Sequence, residues 1–292
     1  MNIIGHKYIF LTISGILVLT SFFAIFIWGL KLGIDFTGGS LLEIEFKDQR
    51  PEVDEIRKIL EKSDLGNMAI QLTGERGAIL RFKHIDEDSH QAILKLLAGS
   101  EEKRFDSIGP TIGRELKQKS ILALLLAVAG IVLYIAFAFR KVSKPVSSWK
   151  YGVVAVLALV HDVVIPTGIF SALGHFKGVE MDTLFITALL TILGFSVHDT
   201  IVVFDRVREN LHKLKTPEPY ELTVNRSVNE TIMRSINTSL TVLLVLLIIM
   251  FFGGETTKFF ALALILGIIF GTYSSIFIAS PLLVIWNKWT KS

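Results

Sequence analysis

Six apolar runs, each close to the roughly 20 residues a helix needs to cross ~30 Å of hydrocarbon, decide what this chain can fold into. They lie near Tyr8–Leu30, Ser120–Phe139, Tyr151–Leu173, Thr183–Phe204, Asn237–Gly253 and Phe259–Trp286. In hydrocarbon every backbone N–H and C=O must be satisfied inside the segment, so runs of this length have to be helices. The expected fold class is a polytopic α-helical membrane protein with six transmembrane helices. The first run follows Lys7, as a signal peptide would. It exceeds the about 7–15 apolar residues of a signal core and ends without an Ala-x-Ala site, so it reads as a retained anchor.

Charge is concentrated between the first two runs: residues 31–119 hold 32 of the 57 charged side chains. The expected division is residues 1–30 as the first transmembrane helix, 31–119 as a polar head domain, and 120–292 as a five-helix membrane domain with an inner loop at about 205–236. A hydrophobic content of 51% excludes a disordered chain and argues against a single soluble domain. The absence of cysteine removes disulfides, thiol nucleophiles and Cys-type metal sites. A net charge of +3 does not call for nucleic acid; basic loops beside membrane lipid account for it.

Orientation follows from Lys and Arg outside the head. With the N-terminus inside, the inner segments carry 13 of them: Lys7, then Arg140, Lys141, Lys144 and Lys150, then six within 205–236, then Lys288 and Lys291. The short outer loops carry only Lys177 and Lys258. That asymmetry predicts both termini in the cytoplasm and the head outside. Trp28, Trp149, Trp286 and Trp289 fall at span ends, as interfacial anchors do.

The head reads as a small α+β domain. Gly39–Phe46 alternates like a strand, Pro51–Lys62 has helical spacing, and Met68–Thr73 and Ala78–Lys83 are strand-like about a Gly74–Gly77 turn. Asp86–Ala98 is again helical and Lys103–Ile108 is a last strand, so the order βαββαβ predicts a ferredoxin-like head between helices one and two. Nothing in it has the spacing of a metal or catalytic cluster, which points to a head that contacts protein or moves.

Ionisable groups within a span cost about 2.5–3.5 kcal/mol each on insertion scales and mark functional candidates. The third run holds His161 and Asp162, the fourth His198, Asp199 and Thr200, and Arg234 precedes the fifth. Asp199 suits a carboxyl that takes and releases a proton, because a low dielectric disfavours a carboxylate while a nearby guanidinium restores it. Movement of Arg234 would then couple protonation to helix position. The alternative is a carboxyl bonded to Ser196 or Thr200 that only locks helix packing. Asp162 serves either function or the local geometry at Pro166, where the span is expected to bend. His161 and His198 are polar packing partners or members of a proton path. Neighbouring helical residues diverge by about 100°, so neither His-Asp pair can give two ligands to one ion, and no metal is expected. His-Glu-x-x-His and glycine-rich phosphate loops are missing, so neither enzyme activity nor a cofactor is expected.

Four stretches carry a resemblance. They are Gly33-Ile34-Asp35-Phe36-Thr37-Gly38-Gly39-Ser40, Ile108-Gly109-Pro110-Thr111-Ile112-Gly113-Arg114-Glu115-Leu116, residues 194–210 around His198-Asp199, and Arg234-Ser235-Ile236-Asn237-Thr238-Ser239. Together, and in this order, the chain resembles the SecF side of the SecD/SecF family, within the resistance–nodulation–division superfamily. The resemblance implies a half-unit paired with SecD at the SecYEG translocon, with YajC as an accessory and unfolded preprotein as substrate, in the bacterial cytoplasmic membrane. It implies that the proton motive force drives head movements, with Asp199 as proton carrier and Arg234 as its partner. His198 stands where the family commonly has Asn, which adds a titratable group to the path or signals sodium as the coupling ion. Gly109, Pro110 and Gly113 are either a hinge between head and second span or plain turn residues. The competing functions are a non-conducting assembly scaffold and a small-molecule efflux half-transporter.

Overall fold

A computed structural model describes residues 1–61, 63–139, 147–213 and 218–289. Arg140, Lys141, Lys144, Lys215 and Lys291, counted above for orientation, and Lys62, the expected end of a head helix, lie outside the described residues. Along the chain run α1 (Lys7–Trp28), α2 (Ile34–Thr37), β1 (Gly39–Phe46), α3 (Val53–Leu60), β2 (Ala69–Thr73), β3 (Gly77–Phe82), α4 (Glu87–Leu96), β4 (Ser100–Ile108), α5 (Pro110–Ala138), α6 (Ser148–Lys177), α7 (Thr183–Lys213), α8 (Tyr220–Phe252), α9 (Glu255–Ser274) and α10 (Ser280–Trp289). A π turn, Ser275–Ala279, joins the last two. The chain forms two compact units: residues 31–121 with 177–183, and the remainder.

The first unit is built on an antiparallel sheet of order β2-β3-β1-β4. Alternation along β1 turns Leu42, Ile44 and Phe46 inward, and Ala78, Leu80 and Phe82 of β3 join them. Leu42 stands opposite Leu80, so the register brings both apolar faces to one side. Ile56 and Leu60 of α3 and Ile93 of α4 close the core. Each fully buried aliphatic side chain there stabilises the unit by about 1.5–3 kcal/mol. Both helices start on side-chain caps: Glu52 and Glu55 form a capping box on α3, and Asp86 accepts from the Ser89 N–H at 3.0 Å on α4.

Among the described residues six helices are long and apolar enough to cross a membrane, most of their length lying in the second unit. Those carried by α6, α7 and the α9–α10 pair are the most buried, whereas α1, α5 and α8 leave apolar side chains such as Phe26, Leu133 and Phe251 exposed. Trp149 meets Trp286 edge to face, and Trp28 stacks on His175. Pro166 lies inside α6 without ending it.

The segment 205–236 between the fourth and fifth apolar runs, whose charges alternate in sign as on a solvated amphipathic helix, is largely helical. Helix α7 continues to Lys213 and α8 starts at Tyr220, so residues 205–213 and 220–236 are helical. The alternating charges explain it: Arg206–Glu209, Arg208–Asp205 and Lys213–Glu209 are ion pairs at i,i+3 and i,i+4. The two extensions are laced by Asn210, which donates to Ser227 at 2.9 Å and to Glu230 at 2.8 Å. Lys7 and Lys288 both pair with Glu221, joining α1, α8 and α10.

Candidate functional site

Two carboxyls lie in the interior of the helical unit, Asp162 fully buried on α6 and Asp199 nearly so on α7. Asp162 Oδ2 accepts from Ser274 Oγ at 2.7 Å and from Ser196 Oγ, while its Oδ1 lies 2.8 Å from His161 Nδ1. Asp199 Oδ1 accepts from Ser235 Oγ of α8 at 2.5 Å, and its Oδ2 from Ser275 Oγ at 2.5 Å. Ser274 and Ser275 are consecutive residues where α9 passes into the π turn, so one short segment serves both carboxyls. A π turn inserts a residue into the helical repeat and recurs at functional sites. Ser280 Oγ donates to the carbonyl of Ser275 at 3.2 Å within that irregular segment. One helix turn away, Ser239 and Thr272 hydroxyls bond each other at 2.5 Å.

The residues expected to act together are partly separated. Among the described residues Asp199 accepts from Ser235 and Ser275 and not from Ser196 or Thr200: Ser196 turns to Asp162, and Thr200, the next residue on α7, is buried. Arg234 is exposed and makes no hydrogen bond or ion pair with Asp199 among the described residues. Ser235 faces inward, and Arg234, about 100° round the helix from it, is exposed. The same geometry leaves His198 exposed beside buried Asp199, whereas His161 is buried between Tyr273, whose ring stacks at 6.0 Å, and the edge-on ring of Phe270. Sequence reasoning missed Ser274 and Ser275 and the inward role of Ser235. A signal existed: Thr272-Tyr273-Ser274-Ser275 sets four consecutive hydroxyls in an apolar run.

The Asp-Phe-Thr-Gly-Gly segment belongs to the sheet unit and forms α2, a single helical turn that composition alone did not reveal. Phe36 is buried, Asp35 half-buried and Thr37 exposed. Gly38 has φ +74°, and a Cβ there would stand 2.7 Å from Pro110 Cα. A Cβ on Gly113 would stand 2.8 Å from the Gly38 N, so residues 38 and 110–113 touch main chain to main chain. Gly39, at φ +133°, approaches the Phe82 carbonyl equally closely, while Gly109 has open space around it. In the same unit Glu180 pairs with Arg81 at 2.8 Å and with Lys31 at 3.7 Å. Burial pushes the Glu180 carboxyl above its ordinary value, against the pull of Arg81 and then Lys31.

Comparison with known proteins gives a consistent result. Residues 89–289 match the family model described as protein export membrane protein SecD/SecF, C-terminal, and residues 23–49 match the SecD/SecF GG motif. The chain is 45% identical to the protein translocase subunit SecF of Thermobaculum terrenum, over 99% of this chain and 94% of that one. To the subunit of the same name from Anaerolinea thermophila it is 40% identical, again over 99% and 94%. It is similar to the crystal structure of SecDF, a translocon-associated membrane protein from Thermus thermophilus, with TM-score 0.85 and 35% identity over 99% of this chain. A SecDF structure in a super-membrane-facing form gives 0.70 and 34%. The chain spans 39% of the length of each of these SecDF chains.

Proposed function

The chain belongs to the SecD/SecF family as a SecF-type subunit of the Sec protein translocase, and from that premise we propose that it couples proton movement within its helices to preprotein translocation. The observation that carries this reading is the hydroxyl cage of Asp199, which Ser235 and Ser275 supply from two other helical segments. A hydroxyl donates to a carboxylate and, after rotating, accepts from a protonated carboxyl. Asp199 therefore finds partners in both protonation states, which a fixed guanidinium would not allow. Because Ser275 opens the π turn and its neighbour Ser274 holds Asp162, a proton arriving at Asp199 alters contacts on α7, α8 and the last span together. A membrane potential supplies about 2.3 kcal/mol per charge per 100 mV, a bias of about fifty-fold on a two-state helix arrangement.

The working unit in this reading is a pair with SecD. Exposed His198, inside the fourth apolar run, supports it, since an ionisable group facing lipid near mid-bilayer costs about 2.5–3.5 kcal/mol and a partner surface removes that cost. Arg234, next along α8 to the Ser235 that holds Asp199, acts beside the cage, with His161, Asp162, His198 and Thr200 as supporting groups. The excess of inner Lys and Arg favours both termini in the cytoplasm, and the sheet order β2-β3-β1-β4 favours a ferredoxin-like head outside it. The head then works on unfolded preprotein leaving SecYEG, with YajC as accessory, and its movement passes the Gly109, Pro110 and Gly113 joint.

Asp199→Asn tests the proposal. The expected result is normal co-purification with SecD and loss of the gradient-stimulated part of export from membrane vesicles. Undiminished stimulation would reject proton coupling at Asp199 and leave an assembly scaffold.

A further inference from the structure

Proton chemistry at Asp199 gives the Asp-Phe-Thr-Gly-Gly segment no task, yet Asp35 has a specific one within the sheet unit. Its Oδ2 accepts from the backbone N–H of Thr183 at 2.8 Å and from Thr183 Oγ1 at 2.5 Å. Thr183 is the first residue of α7. The opening N–H groups of a helix have no partner within it, and a carboxylate there also meets the positive end of the helix dipole. Caps usually come from the residue just before the helix; this one comes from 148 residues away.

The segment leading into α7 is fastened to the same unit by independent contacts. Gly33 N–H donates to the Met181 carbonyl at 2.9 Å, and Met181 N–H donates to the Lys31 carbonyl at 2.8 Å, around a parallel bridge between Leu32 and Met181. Glu180 adds its pair with Arg81 of β3. Residues 177–183 accordingly belong to the sheet unit although the helix they start carries Asp199. From Thr183 to Asp199 the helix rises about 24 Å.

We propose that Asp35 is a positioning residue for the proton-carrying helix: by capping α7 from a distant segment of the same chain it clamps the head to that helix, so that a shift of α7 driven at Asp199 is delivered to the head. This rests on Asp199 being the carrier. The head is the moving part that meets an extended polypeptide, and the clamp is what makes its motion follow the proton.

The test uses the full chain paired with SecD in membrane vesicles, with Asp35→Ala, Asp35→Asn and Thr183→Val. Asparagine caps a helix about as well as aspartate, so it separates capping from charge. In Asp35→Ala, amide hydrogen exchange in the first turn of α7 should quicken about 2- to 30-fold, the range that loss of a cap gives, while β1 and β3 amides stay protected. Asp35→Asn should restore slow exchange and gradient-stimulated export of a secretory precursor, and Thr183→Val should fall between. Two readouts separate this proposal from its premise: carbodiimide labelling of Asp199 and protease accessibility of the head, each with and without an imposed pH gradient. In the unaltered protein both should respond to the gradient. In Asp35→Ala the labelling should still respond and the head should not. If labelling never responds in the unaltered protein, the carrier reading fails. If it responds there and the head of Asp35→Ala follows it undiminished, or if Asp35→Asn is as impaired as Asp35→Ala, the clamp is overturned.

Discussion

Leu42, Ile44, Ile56 and Leu80 fill the centre of the sheet unit, where Ser40 and His90 are the buried polar exceptions, whereas the helical unit encloses Asp162 and Asp199 among Ser196, Ser235, Ser274 and Ser275. Their surfaces differ in the opposite sense: ion pairs such as Lys103–Glu45 cover the sheet unit, while Phe26, Leu133 and Phe251 are left exposed on the helices. The surroundings explain the contrast. Water drives carbon inward, so the head interior is held by apolar burial. Lipid offers carbon the same environment as a protein interior does, so directed contacts between small polar side chains specify how the helices meet. A buried side chain in the head therefore reports on apolar packing, and a buried hydroxyl among the helices reports on which neighbour it meets.

Three experiments would break or sharpen that contrast, beginning with the largest effect. Leu80→Ala should destabilise the head by about 2–5 kcal/mol, the usual cost of such a truncation in a core, read as faster exchange of β1 and β3 amides in the full chain. A loss below about 1 kcal/mol would mean that carbon packing is not what holds this unit. Ser274→Ala and Ser275→Ala should each cost only about 0.6 kcal/mol and at most about 1.7 in detergent unfolding, yet each should reduce gradient-stimulated export. A stability loss equal to that of Leu80→Ala, with export intact, would make these hydroxyls packing groups and erase the distinction. The smallest effect concerns pH. Hydrogen bonds from Ser89, side chain before backbone, hold the Asp86 carboxyl below its ordinary value. The cap on α4 is therefore complete above the unfolded-chain value of about 3.9 and is lost as pH falls through the lower folded one. Exchange at the start of α4 should rise over that acidic window, and Asp86→Ala should abolish the pH dependence. A profile that survives the substitution would assign it to another group.

Much of this architecture was legible in the sequence because it rests on periodicity. The alternation of Leu42, Ile44 and Phe46, the helical spacing of Ile56 and Leu60, and six apolar runs each announce an element locally. The alternating charges of 205–236 announce helix in the same local way, and α7 and α8 run on through them on ion pairs at i,i+3 and i,i+4. The site was legible only as a set of expensive residues. Its partners lie 34 to 112 positions apart, from Ser196 to Asp162 and from Ser274 to Asp162, and no local pattern encodes which face of an apolar helix meets which neighbour. Arg234 illustrates the limit. It is exposed while the next residue, Ser235, holds Asp199, and the sequence does not say which of two adjacent polar residues an apolar helix turns inward.

The meeting of Gly38 with residues 110–113 has a consequence for how the protein can vary. Where two segments touch through side chains, a larger residue on one is matched by a smaller residue on the other, and a lineage drifts through pairs of compensating substitutions. Gly38 and Gly113 have nothing to exchange: the distance between the strands of the joint is set by the thickness of two backbones. A larger residue at either position would therefore have to be accommodated by moving the main chain itself, shifting the helix and the sheet beside it.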